Sequence, residues 1–299
     1  MTKAEIEQAR TKRVRKANEL IQKSRYSLSM QGHKIVLYLI SQIQPEDKDF
    51  KTIEFDIREF CEICGIGSDQ GNNYKDLKAA VIDIMKHPIG WAEIAEQHEA
   101  ALTWIENAEI TKYDGVIRID LGRHLKPFLL DLKKNFTSYE LGYTLRFRSK
   151  YSIRLYEILK SYQYHDEQPF TKVFQVDELR ALLDAENYSQ YRDFKKRVLS
   201  IAVDEITKYT DRNLDLREIK SGRKVLEVEF AISAKTGEAL EEVRQLIGAP
   251  QRRKRTPKPI PGQMAIGDNT ESRTSADKLA AMKRLYTHLA GGSTSERTV

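Results

Sequence analysis

Tyr191-Arg192-Asp193-Phe194-Lys195-Lys196-Arg197-Val198-Leu199-Ser200-Ile201 repeats, in edited form, a segment 117 positions earlier: Tyr74-Lys75-Asp76-Leu77-Lys78-Ala79-Ala80-Val81-Ile82-Asp83-Ile84. Tyr, Asp, Lys, Val and Ile recur in place, and Lys75/Arg192, Leu77/Phe194 and Ile82/Leu199 keep their chemistry. An internal repeat constrains a fold strongly, because each unit must build the same supersecondary structure. Two more matches precede the segments in the same order. Ile35-x-Leu37-Tyr38-x-Ile40 answers Ile153-x-Leu155-Tyr156-x-Ile158, and Phe55-x-Ile57-x-Glu59-Phe60-x-x-Ile63 answers Phe174-x-Val176-x-Glu178-Leu179-x-x-Leu182. The chain is expected to hold two homologous domains, each a helix, a short strand and helix, then a long helix.

On a helical wheel Phe194, Val198 and Ile201 share one face, as do Leu77, Val81 and Ile84, so both copies predict a helix with an apolar stripe on a core. Off that stripe Lys196, Arg197 and Ser200 replace Ala79, Ala80 and Asp83. The earlier copy keeps the scaffold without those charges. Stability therefore does not require them, and a partner is the better reason for their presence.

Each long helix is followed by alternating apolar residues. Residues 89–121 carry Trp91, Trp104-Ile105 and Val116-Ile117-Ile119, with Asp114-Gly115 as a hairpin turn, and are expected to form the β-ribbon of the first domain. Glu93, Glu96, Glu99, Glu106 and Glu109 surround the two tryptophans, which are therefore read as core or interface residues and not as a base-stacking platform. The second ribbon alternates Leu214, Leu216 and Ile219, turns at Ser221-Gly222, and returns through Leu226, Val228, Phe230 and Ile232. Lys220, Arg223 and Lys224 cluster at its tip. Ser29 and Asp56 are predicted helix caps. Gly65, Gly67 and Gly71 separate a short helix from the first long one, as in a helix-turn-helix. The fold class is α+β, a pseudo-duplicated tandem pair of winged-helix domains. Residues 1–17 are expected to be a flexible basic arm, 18–134 the first domain, 135–248 the second, and 249–299 a flexible basic tail with Arg252-Arg253-Lys254-Arg255 and a marginal helix through Leu279, Met282, Leu285 and Leu289.

The formal net charge of +6 is unevenly spread. Residues 26–122 hold 9 basic and 17 acidic side chains, residues 123–248 hold 23 and 20, residues 1–25 hold 8 and 3, and residues 249–299 hold 10 and 4. An acidic first domain cannot be the main anchor for a polyanion, whereas the second domain and the two ends can. A basic helix beside a basic hairpin tip supplies both contacts of a winged helix, bases in the major groove and backbone phosphates.

Enzyme chemistry lacks its parts. No GxxxxGK[ST] phosphate loop is present, so Ser233-Ala234-Lys235-Thr236-Gly237, which looks like a guanine-recognition loop, is read as coincidence. The six histidines include no close pair, against a metal-dependent nicking enzyme, and Cys61 and Cys64 lack the further ligands of a zinc site. No catalytic residue, metal or cofactor is expected. No apolar run approaches the roughly 18 residues of a membrane span and the basic start lacks a signal peptide's apolar block, so a cytoplasmic protein is expected.

Asn18-Glu19-Leu20-Ile21, Ser152-Ile153-Arg154-Leu155-Tyr156-Glu157-Ile158-Leu159-Lys160, the Phe194–Leu199 block, Glu205-Ile206 and Gly222-Arg223-Lys224 resemble the plasmid replication initiators that bind iterons. The resemblance covers roughly residues 18–235. It implies two winged-helix domains that bind double-stranded DNA at direct repeats of an origin. It also implies opening of the origin, recruitment of the host initiator and replicative helicase, and autorepression by a homodimer paired chiefly through the first domain. The expected base readers are Gln190, Arg192, Lys196, Arg197 and Ser200. Gln190 stands where the family often has arginine, and glutamine can pair with adenine. Lys75, Lys78, Arg146, Arg148, Lys150, Lys195, Lys220, Arg223 and Lys224 are the expected phosphate contacts. A dedicated dimeric transcriptional repressor is the alternative.

Overall fold

The computed structural model describes residues 1–66, 72–95, 98–111, 115–163 and 168–248. The expected basic tail, Gly67 and Gly71 of the first turn, and Asp114 of the first hairpin lie outside these residues. Residues 1–17 are not the expected mobile arm. Thr2 caps a helix, α1 (Lys3–Thr11), through a capping box with Glu5, and Arg13–Ala17 is a strand, β1. The order inside a basic, polar stretch comes from long-range partners. Arg10 is buried and donates to the carbonyls of Glu62, Ile63 and Ile247 at 2.9 to 3.0 Å. These carbonyls lie at the C-terminal ends of two helices, where an α-helix leaves acceptors over.

After β1 the chain repeats one order twice. The first copy runs α2 (Asn18–Lys23), α3 (Met30–Ser41), β2 (Ile53–Asp56), α4 (Ile57–Ile63) and α5 (Asn72–Lys86), then four strands: β3 (Gly90–Ala95), β4 (His98–Leu102), β5 (Ile105–Ile110) and β6 (Val116–Leu121). Ser29 and Asp56 cap α3 and α4 as their sequences predict. A short α6 (Lys126–Leu129) leads to the second copy, β7 (Phe136–Glu140), α7 (Leu141–Leu145), α8 (Lys150–Ser161), β8 (Phe170–Gln175) and α9 (Val176–Leu182). Its long helix is compound: α10 (Tyr191–Phe194), a π turn (Lys195–Leu199) and α11 (Ser200–Tyr209). The ribbon β9 (Arg212–Ser221) and β10 (Lys224–Ala234) follows, then α12 (Gly237–Gly248).

The sheets repeat as well. In the first domain β6 lies between β2 and β5, and in the second β10 lies between β8 and β9, all antiparallel. The expected single ribbon over residues 89–121 is two hairpins, since among the described residues β3 and β4 pair only with each other. Trp104 is fully buried and meets Tyr26 edge-on at 5.1 Å, a core residue as expected. Cys61 and Cys64 are free and buried, and burial raises their thiols to about 11 and about 12.

The copies are joined by their opening strands. β1 pairs antiparallel with β7, Arg15 opposite Ser138 at the centre. Both strands alternate buried and outward residues in the same pattern, which makes Lys16 and Tyr139 counterparts. The ends match too: Asn18 N–H donates to Asn135 O at 2.8 Å and Leu141 N–H to Lys12 O at 2.9 Å. α2 packs on α8 and α3 on α7, a reciprocal arrangement around a local twofold. A buried charged cluster breaks that symmetry. Glu157 of α8, fully buried, accepts from Lys16 Nζ at 2.6 Å and from Tyr139 Oη, while its counterpart is Leu39. Arg154 beside it donates to Tyr26 Oη and to the carbonyls of Ile21 and Ser24, fastening α8 to the end of α2. A buried carboxylate is tolerated because it is paired and hydrogen-bonded. Burial, then the charges of Arg154 and Lys16, push neighbouring His33 well below its ordinary pKa.

Candidate nucleic-acid interface

Residues Tyr191–Tyr209 form one continuous helix whose core side is Phe194, Val198, Leu199, Ala202 and Ile206, all buried. Gln190 is its N-cap and is exposed. Arg192 has 88% of its side chain exposed, with only a loose approach to Asp193 at 3.7 Å. Lys196 and Arg197 are exposed, and among the described residues no carboxylate lies in ion-pair range of either. Ser200 is half-buried. By helix geometry Arg192, Lys196 and Ser200 follow one outward line, and Arg197 starts the next.

Lys195, expected on a phosphate, turns to the ribbon instead. Its Nζ lies 2.6 Å from Glu218 on β9, which also accepts from Tyr191 Oη at 3.1 Å. Hydrogen bonding from Lys195 holds the Glu218 carboxylate below its ordinary range, and burial, then the bond to Glu218, raises Tyr191. This pair fixes the ribbon against the first turns of the helix. At the other end Lys235 Nζ caps the carbonyls of Thr207 and Thr210. Within the Ser233–Gly237 run, which passes from the end of β10 to the start of α12, Lys235 is therefore a helix stop. Glu205 of α11 accepts the backbone N–H groups of Arg148 and Ser149 at 2.9 and 3.3 Å, capping α8 where Ser149 itself does not. Sequence alone missed both caps, since each joins residues far apart in the chain.

Lys220, Arg223 and Lys224 are exposed at the ribbon tip, where Gly222 takes the left-handed conformation (φ 61°) that a tight turn favours in glycine. The junction residues do not form a single basic cluster. Arg146 is half-buried, Lys150 pairs with Asp184 at 2.8 Å and reaches Ser27, and Arg148 is exposed.

The counterpart surface in the first domain differs. Lys75, Lys78 and Ala79 are exposed on α5, but Ala80, the counterpart of Arg197, is buried at 6% exposure. The reading that both edited positions lie off the apolar stripe thus meets exposed residues in both copies at 79/196 but a buried one in the first copy at 80/197. The cause is the π turn, which holds one more residue than an α turn. Beyond it the copies match at an offset of 118, so that Ala202 takes the place of Ile84.

Two family descriptions match this arrangement: "Initiator Replication protein, WH1" over residues 13–160 and "Initiator Rep protein, WH2" over residues 175–232. The chain belongs to the initiator replication protein family. Its resemblance to replication initiators, carried by the residues around Ser152–Leu199, is thereby established at the level of family and of two winged-helix domains. A replication initiation protein of Escherichia coli is 25% identical over 214 residues, which are 70% of this chain and 65% of that one. The PI protein of Escherichia coli is 30% identical over 148 residues, 44% of this chain and 48% of its own. The chain thus spans less than two thirds of either relative. The crystal structure of the Pi initiator protein in complex with iteron DNA superposes with a TM-score of 0.62 over 76% of this chain and 99% of that one, at 19% identity, and shows the shared fold. Among the described residues no helix is long and apolar enough to cross a membrane.

Proposed function

We propose that this chain is a plasmid replication initiator that binds double-stranded DNA at repeated sites of its origin and does no covalent chemistry itself. The observation that carries the reading is the outward face of Tyr191–Tyr209, beside a basic ribbon tip: Lys196 and Arg197 stand in solvent with no carboxylate in ion-pair range among the described residues, and Arg192, 88% exposed, has a loose approach to Asp193 at 3.7 Å. Unneutralised cations on one helix face cost the isolated protein self-repulsion and are useful to a polyanion ligand. Gln190, Arg192, Lys196, Arg197 and Ser200 address base edges in the major groove. Lys220, Arg223, Lys224 and Arg148 meet phosphates, and Lys75 and Lys78 add backbone contacts from the first domain. Lys150 and Lys195 must exchange a carboxylate for a phosphate to join them. The named partner of the Pi structure, iteron DNA, supports the same ligand.

A homodimer in equilibrium with the origin-binding monomer, autorepression by that dimer, recruitment of the host initiator and helicase, and action in the cytoplasm rest on the family resemblance. The test is to map protected DNA with purified full-length protein on the flanks of its own gene. Protection of tandem direct repeats, together with replication of a minicircle holding gene and flank, is the expected result. Protection of a single inverted repeat with no replication would make the protein a dedicated repressor.

A further inference from the structure

Ile201, with Arg197 and Leu199, is one of the residues of the long helix that the repeat places wrongly. Its counterpart by sequence, Ile84, is fully buried, whereas Ile201 is 40% exposed. The extra residue in the Lys195–Leu199 turn rotates the remainder of the helix by about 100°. Leu199 and Ala202 fill the core and Ile201 swings out. Single exposed apolar residues are ordinary on protein surfaces, but the place of this one is not neutral. It stands one turn beyond Arg197 on the line next to Arg192, Lys196 and Ser200, so it shares the face on which the exposed cations lie. π turns inside α-helices recur at functional sites. A side chain carried into the major groove by cations meets base edges, and the apolar group that those edges display is the thymine C5 methyl.

We propose that Ile201 is a specificity residue that packs on the 5-methyl group of a thymine, discriminating that base by apolar contact where its neighbours discriminate by hydrogen bonds. The inference rests on the proposed DNA-reading role of the Tyr191–Tyr209 helix. It adds a reader that charge does not reveal, and it gives the π turn a purpose: without it the isoleucine would be in the core.

The test uses the full-length protein and the protected duplex, with each thymine replaced in turn by deoxyuridine, which lacks only the methyl group. Wild-type protein should lose about fourfold in affinity at one thymine, the value of one buried methyl-sized group. Ile201→Ala should bind the parent duplex more weakly and lose nothing further on that replacement. Ile201 is exposed, so the variant should melt with the wild type, which shows that any change arises at the DNA. Equal losses for wild type and variant at every thymine, or no loss at any, would overturn the proposal while leaving the helix as the reader. Wild-type binding by Lys196→Ala and Arg197→Ala together would instead remove the helix assignment, and this inference with it.

Discussion

α5 and the Tyr191–Tyr209 helix are two versions of one element, and they diverge in two independent ways. The first is charge: Lys196 stands where α5 has exposed Ala79. The second is rotation: Arg197 is in solvent where Ala80 is in the core, because the π turn changes which side chains face out. A sequence comparison sees two charged replacements of the same kind. The structure shows that one is a substitution on an existing surface and that the other needed a new surface to be made. The ribbons differ in parallel, six residues in each of β5 and β6 against ten and eleven in β9 and β10. At about 3.4 Å per residue the second ribbon reaches further from its sheet and ends in cations.

The largest expected effect tests how the two copies are held together. Glu157→Gln should leave Lys16 and Arg154 buried without their carboxylate and cost about 3–5 kcal/mol in urea unfolding. Glu19→Gln, which breaks the exposed pair with Lys23, should change stability by less than about 1 kcal/mol. Next comes the rotation. Ala80→Arg should destabilise by about 1–3 kcal/mol through overpacking and a buried charge, whereas Arg197→Ala should leave the unfolding free energy within about 0.5 kcal/mol of wild type. Equal stability of these two variants would mean that the copies present the same face. In DNA binding, Lys196→Ala is expected to cost about 1–3 kcal/mol on the specific site. Lys78→Ala should cost about the same small amount on any sequence, so equal sequence dependence in both would erase the distinction between reader and twin. The smallest effect is that of Arg223→Ala. It should weaken all sequences alike and reduce the slope of log affinity against log salt by about 1, measured by anisotropy between low and physiological salt.

Much of the fold was legible in the chain. The repeat carried the two-domain fold because Leu77, Val81, Phe194 and Val198 are core positions whose spacing is set by helix geometry. Ser29 and Asp56 announced their helices because capping is local. Gly222 and the alternation around it gave the second ribbon for the same reason. What stayed hidden depends on partners far along the chain. The basic start looked mobile because the carbonyls that hold Arg10 belong to α4 and α12. Lys195 looked like a free cation because Glu218 lies on another strand. Ile201 looked like core because a π turn leaves no signal in the apolar spacing when Val198 and Leu199 can both be buried.

The β1–β7 ribbon also has a consequence in time. Arg13 and Ser138, which touch across it, are 125 residues apart. On a ribosome adding about 5–20 residues per second, the opening strand waits about 6–25 s before its partner is even synthesised. For that interval Lys16 has no carboxylate and β1 has no neighbouring strand. The first domain therefore emerges unfinished, and its opening strand can close only when the second domain arrives. Duplicated though they are, the two halves mature in a fixed order, with the reader needed to complete its twin.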